Sequence, residues 1–356
     1  MDFRKILITG GAGFIGSHLA LGLKRDFPQA SITALDNLKR RGSDFNLARL
    51  RAGGVAFVHG DVRSAADLNG LPAFDLMIEC AAEPSVQAAV LNGPAYVLDT
   101  NLVGAINAFE AARARQAPIL FLSTSRVYPL GAINELAFYE TESRFCWQPE
   151  QQVPGWSAAG ISEEFPSTGA RSLYGASKLA AELILTEFHH QFGLPTIVNR
   201  CGIVCGPWQM AKADQGIVAL WVARHAYGGN LQYLGFGGQG KQVRDLLHVE
   251  DLYRLIVAQL ENMSAWDAAV YNIGGGAERS FSLCELTSWC EELTGHRALN
   301  GSREETSPWD VRIYVTDASR ALRDFDWNPR WTVPAALESI HKWLRDQPGL
   351  LRDLLG

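Results

Sequence analysis

Cysteine is scarce, with six in 356 residues, and no two of them form a Cys-x-x-Cys pair. No histidine stands at zinc-ligand spacing around Cys80, Cys146, Cys201, Cys205, Cys284 or Cys290. A structural zinc site and a disulfide framework are therefore excluded, and buried free thiols with no metal are expected. No apolar run is long enough to span a bilayer, and the chain enters Phe3-Arg4-Lys5-Ile6-Leu7-Ile8 directly, as a strand rather than a charged-then-apolar leader. A basic block is also lacking: 32 Lys and Arg stand against 38 Asp and Glu, a net charge of -6. Neither nucleic acid nor a membrane surface is expected as a partner, and the expected location is cytoplasmic. Long linkers, repeats and low-complexity tracts are absent too, so the chain should pack as one unit.

What is present begins with an apolar content of 47%, enough core for one large or two modest domains. Short apolar runs at Ile6-Ile8, Ile32-Leu35, Val55-Val58, Leu76-Ile78 and Ile119-Leu122 alternate with amphipathic stretches. Helices are expected after Gly13, after the capping pattern Ser64-Ala65-Ala66-Asp67, over about Pro94 to Arg115, and over Tyr174 to His190, followed by a strand at Thr196-Asn199. This β-α-β rhythm predicts an α/β fold, a Rossmann-type doubly wound parallel sheet with helices on both faces. After Arg200 the rhythm breaks. Helices restart at Val249-Glu261, at the capping box Ser282 to Glu285, and at Ala335-Leu344, which reads as a smaller C-terminal α/β substrate-binding part. The expected division is residues 1-200 for the cofactor and 201-356 mainly for the substrate.

The run Gly10-Gly11-Ala12-Gly13-Phe14-Ile15-Gly16 follows the first strand and opens a helix. Gly10, Gly13 and Gly16 allow a tight turn and close approach to a pyrophosphate. Asp36 ends the second strand roughly 20 residues on, where a carboxylate bonds the adenosine ribose diol and repels a 2'-phosphate. That favours NAD over NADP, although Lys39, Arg40 and Arg41 offer a competing phosphate site. Asp61-Val62, after the third strand, reads either as an adenine contact or as an ordinary loop. Tyr174 and Lys178 lie four apart and so share a helix face. An ammonium beside a phenol lowers its proton affinity, and such a tyrosine can take and return the proton of a sugar hydroxyl.

These blocks, with Asp36-Asn37, Asp61-Val62, Ala81-Ala82, Ser123-Thr124-Ser125 and Tyr174-Gly175-Ala176-Ser177-Lys178, resemble the extended short-chain dehydrogenase/reductase family, in its nucleotide-sugar epimerase and dehydratase branch. The resemblance implies that Phe14 and Ile15 help hold the pyrophosphate, that Cys80, Ala81 and Ala82 line the cofactor, and that Asn101 supports the active-site helix. It also implies Thr124 as the third catalytic position, four residues before Tyr128 of the Val127-Tyr128 pair. A homodimer or homotetramer built on the 94-115 and Tyr174 helices is implied as well.

Sister dehydratases carry an acidic pair directly after this threonine, whereas here Ser125-Arg126 follows. Without carboxyls at those positions, oxidation-reduction without elimination of water is expected. Residues 199-210, the Asp214-Gln215-Gly216 block, residues 235-252 and residues 308-317 resemble the CDP-tyvelose (CDP-paratose) 2-epimerases of that family. Ile203 stands where the family's 4-epimerases carry an asparagine. Arg244 and Arg312 are candidate clamps for a diphosphate, competing with ion pairs to Asp245 and Asp310. Trp208 and Gln209 suit a nucleobase, with core packing the competing reading for Trp208, Gln215 counts with the substrate contacts, and Glu83 and Ser85 should face the sugar, with Ser85 also fit to cap a helix. An insert over residues 130-170 reads as a lid or rim. The expected activity is NAD-dependent epimerisation of a nucleotide-diphosphate sugar, a CDP-sugar at C2. Competing readings are a UDP-sugar 4-epimerase, a keto-sugar reductase, and a non-catalytic dinucleotide sensor.

Overall fold

A computed structural model describes residues 3-212 and 215-355. Its centre is a seven-stranded sheet of β1 (Lys5–Thr9), β2 (Ser31–Asp36), β3 (Ala56–His59), β4 (Leu76–Glu79), β5 (Ile119–Thr124), β6 (Thr196–Cys201) and β7 (Asp267–Ile273). The spatial order is β3-β2-β1-β4-β5-β6-β7, and every pairing is parallel. β4, β5 and β6 are buried along their whole length, as expected of parallel strands covered on both faces. The winding reverses between β1 and β4, which opens a crevice beyond their carboxyl ends. β7 comes from beyond residue 200, so the C-terminal stretch completes the sheet.

Each face has its own cover. α1 (Phe14–Asp26) packs Leu19 and Leu23 against Ile6 and Ile8. On the other face α2 (Gly104–Arg113) and α3 (Leu173–Phe192) pack Phe109, Ala181 and Leu185 against Leu7, Met77 and Phe121. A separate C-terminal core joins α4 (Ile217–Tyr227), α6 (Leu283–Thr294) and α7 (Val333–Asp346) through Trp221, Leu286 and Ile340. α5 (Val249–Glu261) joins the first core through Leu252 and Ile256. It lies so close to α1 that a Cβ on Gly22 would stand 2.6 Å from the Tyr253 ring.

The local signals are realised unevenly. Ser282 and Glu285 form the complete capping box. Ser64 caps its helix through Asp67 N–H, but the Asp67 carboxylate accepts from the Ser64 hydroxyl and Asp61 N–H, both at 2.9 Å, while Ser64 N–H donates to Asp61 O, so the reciprocal bond is missing. The helix expected over 94-115 is broken into Pro94–Leu98, a π-turn over Asp99–Val103, and α2. α3 begins at Leu173 because Ser172 Oγ accepts from Gly175 N–H at 3.2 Å. The insert forms a short helix, Leu130–Asn134, and two hairpins, Phe138–Glu140 with Phe145–Trp147 and Trp156–Ser157 with Gly160–Ile161. It is stitched to the C-terminal segment by Ile161 N–H to Val315 O at 2.8 Å and Asp317 N–H to Ile161 O at 3.0 Å.

Below the sheet's carboxyl edge lies a buried polar network. Arg200 of β6 donates to Glu182 of α3 at 2.7 and 3.0 Å and to the Tyr128 hydroxyl at 3.1 Å. Ser123 of β5 also bonds Glu182. Removing one partner of a buried pair strands the other charge, at a cost of about 3–5 kcal/mol. Arg200→Met should therefore lower stability by that order, read as a drop in the urea midpoint. An unchanged midpoint would show that the network bears no weight.

Candidate active site

The glycine turn is set by close backbone contacts. Gly13 N–H donates to Gly10 O at 2.9 Å, and a Cβ on Gly16 would lie 2.2 Å from that same oxygen. Gly10 itself has φ +60. α1 has no side-chain cap and no acid in its first turn, so its free N–H groups and positive dipole end face the crevice. Phe14 meets His18 edge-on and Ile15 packs on the core, which holds this end of α1 in place. Asp36 Oδ2 accepts from Ala12 N–H at 3.1 Å and Oδ1 from Leu38 N–H at 2.8 Å, so the carboxylate braces the turn, while burial pushes its pKa up. Cys80 and Ala81 run beside Gly10, with Cys80 N–H donating to Thr9 Oγ1 at 3.1 Å; Ala82 follows in the same half-buried stretch. Asn37 donates to Asp61 at 3.0 Å, and the Arg63 guanidinium holds the Asp61 carboxyl well below the usual range. Val62 is buried beside it. Of the basic trio, Lys39 lies over the Tyr96 ring at 4.1 Å and Arg40 donates to Met210 O at 3.1 Å. A bare helix end over a turn that only glycine fits is the form a dinucleotide pyrophosphate requires.

Thr124 ends β5, and its hydroxyl accepts from Arg126 N–H at 3.2 Å and acts on the nearby Tyr174 phenol. Tyr174 is half-buried as a residue, with its phenol end enclosed. Enclosure pushes its pKa up, the Thr124 hydroxyl opposes that, and among the causes the cation is Arg126. Lys178 is buried, sits 3.9 Å from the centre of the Phe121 ring, and faces Glu79 and Glu182. Burial pushes its pKa down to about 8.

The loop after β4 is pinned by Asn101 in the π-turn. Its Oδ1 accepts from Glu83 N–H at 2.7 Å and its Nδ2 donates to Glu83 O at 3.0 Å. Ser85 Oγ accepts from Gln87 and Ala88 N–H, the capping role, and the Glu83 side chain accepts from Ser85 N–H.

On the substrate side a cavity is lined by Ser125, Arg126, Leu130, Ile133, Ile203 and Arg244. Arg244 pairs with Asp310 at 2.5 Å and donates to Val311 O at 2.7 Å. Arg312 lies within an aromatic box, 3.9 Å from the Phe138 centroid, 5.4 Å from Phe236 and 5.7 Å from Phe145. Trp208 is stacked by Arg49 at 4.1 Å and packs on Trp343, a C-terminal core position. Gln209 donates to Val204 O at 2.9 Å, and Gln215 pairs through its backbone with Lys212. Asp214 lies outside the described residues. Two residues of this site carried no role in the sequence reading. Arg126 entered there only as a missing acid, and Glu79 was hidden at the end of an apolar strand, where a carboxylate among buried neighbours is itself a signal.

Because a Cβ at position 16 collides with Gly10 O, Gly16→Ala should abolish co-purifying dinucleotide. Heat-released cofactor, measured by absorbance against the parent protein, checks this; full retention would remove the turn from cofactor binding.

Comparison with known proteins gives a consistent placement. A model of the NAD dependent epimerase/dehydratase family matches residues 6–274. CDP-paratose 2-epimerase of Salmonella typhi is 31% identical over 350 residues, covering 95% of this chain and 98% of that one. dTDP-glucose 4,6-dehydratase of an Actinoplanes species is 30% identical over 349 residues, covering 96% and 98%. Among solved structures, dTDP-glucose 4,6-dehydratase DesIV of Streptomyces venezuelae, with NAD and TYD bound, superposes with a TM-score of 0.78 at 26% identity, over 99% of this chain and 100% of that one. A match running from β1 through β7 takes in both the turn and the Tyr174 helix, and the chain belongs to the NAD-dependent epimerase/dehydratase family, whose members are enzymes that use NAD.

Proposed function

We propose that this chain epimerises a nucleotide-diphosphate sugar, a CDP-sugar at C2, through a 2-keto intermediate. The observation that carries this reading is the wall beside Thr124. Ser125 and Arg126 line the cavity directly after Thr124, where the family's dehydratases carry their acidic pair, and the Asp245 carboxyl that also lines it is tied to Thr316 Oγ1 at 3.2 Å and Gly276 N–H at 3.1 Å. The likeness to a CDP-paratose 2-epimerase over nearly the whole of both chains supports the choice of sugar and carbon.

The residues divide the work as follows. The Thr124 hydroxyl acts on the Tyr174 phenol, so a sugar hydroxyl entering between them meets the group that takes its proton. NAD, when bound, supplies the acceptor for the hydride and gives it back. Lys178 holds the cofactor ribose, and Asp36 its adenosine ribose diol. The keto sugar then presents its other face, and Tyr174 returns the proton. Arg244, released from Asp310, grips the diphosphate, and the Arg126 guanidinium stabilises negative charge at the reacting oxygen. Arg312 fixes the hairpin of the insert as a rim over the sugar, through Phe138 and Phe145. Glu83 presents the loop that faces the sugar. Gln209 and Gln215 each hold a buried amide oxygen with no partner among the described residues, which suits the exocyclic amine of a cytosine. The chain works as a homo-oligomer, with Val103 and the largely exposed Leu183 on the helices that meet. No helix of the described residues is long and apolar enough to cross a membrane.

A proton NMR time course of purified protein with CDP-paratose and no added cofactor should show the CDP-tyvelose anomeric signal. Tyr174→Phe should slow it by roughly 10²–10⁴-fold. An unchanged spectrum from folded, NAD-loaded protein would reject this substrate, and conversion of a UDP-sugar instead would favour 4-epimerisation. Thr124→Val removes the hydroxyl that lowers the Tyr174 pKa, so the acid limb of the pH–rate profile should move to higher pH. A limb that stays in place would take Thr124 out of the proton transfer. Leu183→Glu should halve the mass seen by light scattering, and an unchanged mass would move the interface elsewhere.

A further inference from the structure

Glu79 ends β4, fully enclosed, and its carboxyl group serves none of the roles above. Thr9, Glu79 and Phe121 stand in register across β1, β4 and β5. Partners in a parallel pair point to one face, here the face covered by α2 and α3, because Leu7 and Met77 of the same strands pack there with Phe109 and Leu185. Lys178 descends from α3 onto this row and ends over the Phe121 ring. The Thr9 hydroxyl accepts from Cys80 N–H, so its own proton goes to Glu79 Oε2. The second carboxylate oxygen, Oε1, is buried with no hydrogen-bond partner among the described residues. A buried oxygen in that state needs a compensating charge.

We propose that Glu79 is a positioning residue for Lys178: its carboxylate, anchored by Thr9, holds the lysine ammonium charged and aimed at the cofactor side of Tyr174. The inference rests on the role given to Lys178 in the proposed function. The charged and titratable groups that face Lys178 are Glu79 of β4, Glu182 one turn on along α3, and the thiols of Cys80 and Cys201. Those that face Glu79 are Lys178, the Thr9 hydroxyl and Ala81 N–H. Glu182 is already answered by Arg200 and Ser123, and Glu79 has no such second partner. Burial pushes Lys178 down to about 8 and Glu79 up to about 7, and each is the main force opposing the other's shift. Discharging Glu79 removes the support that keeps Lys178 protonated, so Lys178 must lose its proton at lower pH.

The test uses the full-length, NAD-loaded protein with ¹³C-labelled lysine, the Lys178 signal being identified by its loss in Lys178→Arg. Its titration midpoint should fall by at least about one pH unit, a tenfold change in proton affinity, in Glu79→Gln, and stay near the parent value in Glu79→Asp. The alkaline limb of turnover should move the same way. Should Glu79→Gln fail to fold, Thr9→Val takes its place: it removes the donor to Oε2, raises the carboxyl's own pKa, and should also lower the lysine midpoint. A midpoint that stays at the parent value in whichever of these variants folds overturns the proposal and leaves Glu79 as a filler beneath Thr9. The midpoint needs no substrate, so a parent enzyme inert towards CDP-sugars would sink the proposed function without touching this result.

Discussion

Glu182 and Arg200 meet where α3 crosses the carboxyl ends of β5 and β6, and the placement of the chemistry follows from that meeting. A carboxylate and a guanidinium removed from water hold each other only in good geometry with their remaining bonds made. Ser123 and Tyr128 make those bonds here. The result clamps one helix to two strands at a fixed rotation. Glu182 lies one turn after Lys178 and two after Tyr174, so the same clamp turns both towards Thr124 and the crevice. Tyr128 carries the clamp further, through Asn272 of β7 at 2.8 Å, into the strand contributed by the C-terminal stretch.

Above this clamp the site divides by chemistry. The cofactor side is made of backbone: glycines in close contact, bare N–H groups, and a carboxylate tied to two of them. The substrate side is made of long side chains held in place by other side chains. Arg126 donates to Trp309 O at 3.3 Å, Arg244 is held by Asp310, and Arg312 by three phenylalanines. Such a wall can rearrange around a ligand by exchanging partners, whereas the glycine turn cannot without clashes.

That division also explains what could be read in the sequence. Continuous apolar runs mark buried parallel strands, and the ends of the first six fell close to where they were expected. Asp36 and the glycines could be read because a fixed backbone shape demands particular residue types at fixed spacing. The π-turn could not, because Asp99 to Val103 carries ordinary helix-forming spacing and only the tertiary pull of Asn101 on Glu83 opens it. The pairing of Lys178 with Tyr174 could be read from helix spacing, but the row formed by Thr9, Glu79 and Phe121 beneath the lysine could not, because it arises from strands far apart in the chain. The Asp310 ion pair was one of the competing readings for Arg244 and Arg312, whereas the aromatic box around Arg312 and the Arg49 and Trp343 contacts of Trp208 were not legible, because they join residues far apart in the chain.

The stitching of Ile161 to Val315 and Asp317 has a consequence for how the protein is made. The glycine turn, Asp36, Thr124, Tyr174 and Lys178 have all left the ribosome once residue 178 is out. The wall of the substrate cavity is not complete until residues near 317 arrive to pair with the insert and with Val243. At ordinary rates of synthesis that interval is on the order of ten seconds. Throughout it the hairpins of the insert lack their backbone partners, with Phe145, Trp147 and Trp156 left uncovered. The nascent chain is therefore open to mispairing through the insert until that pairing is made.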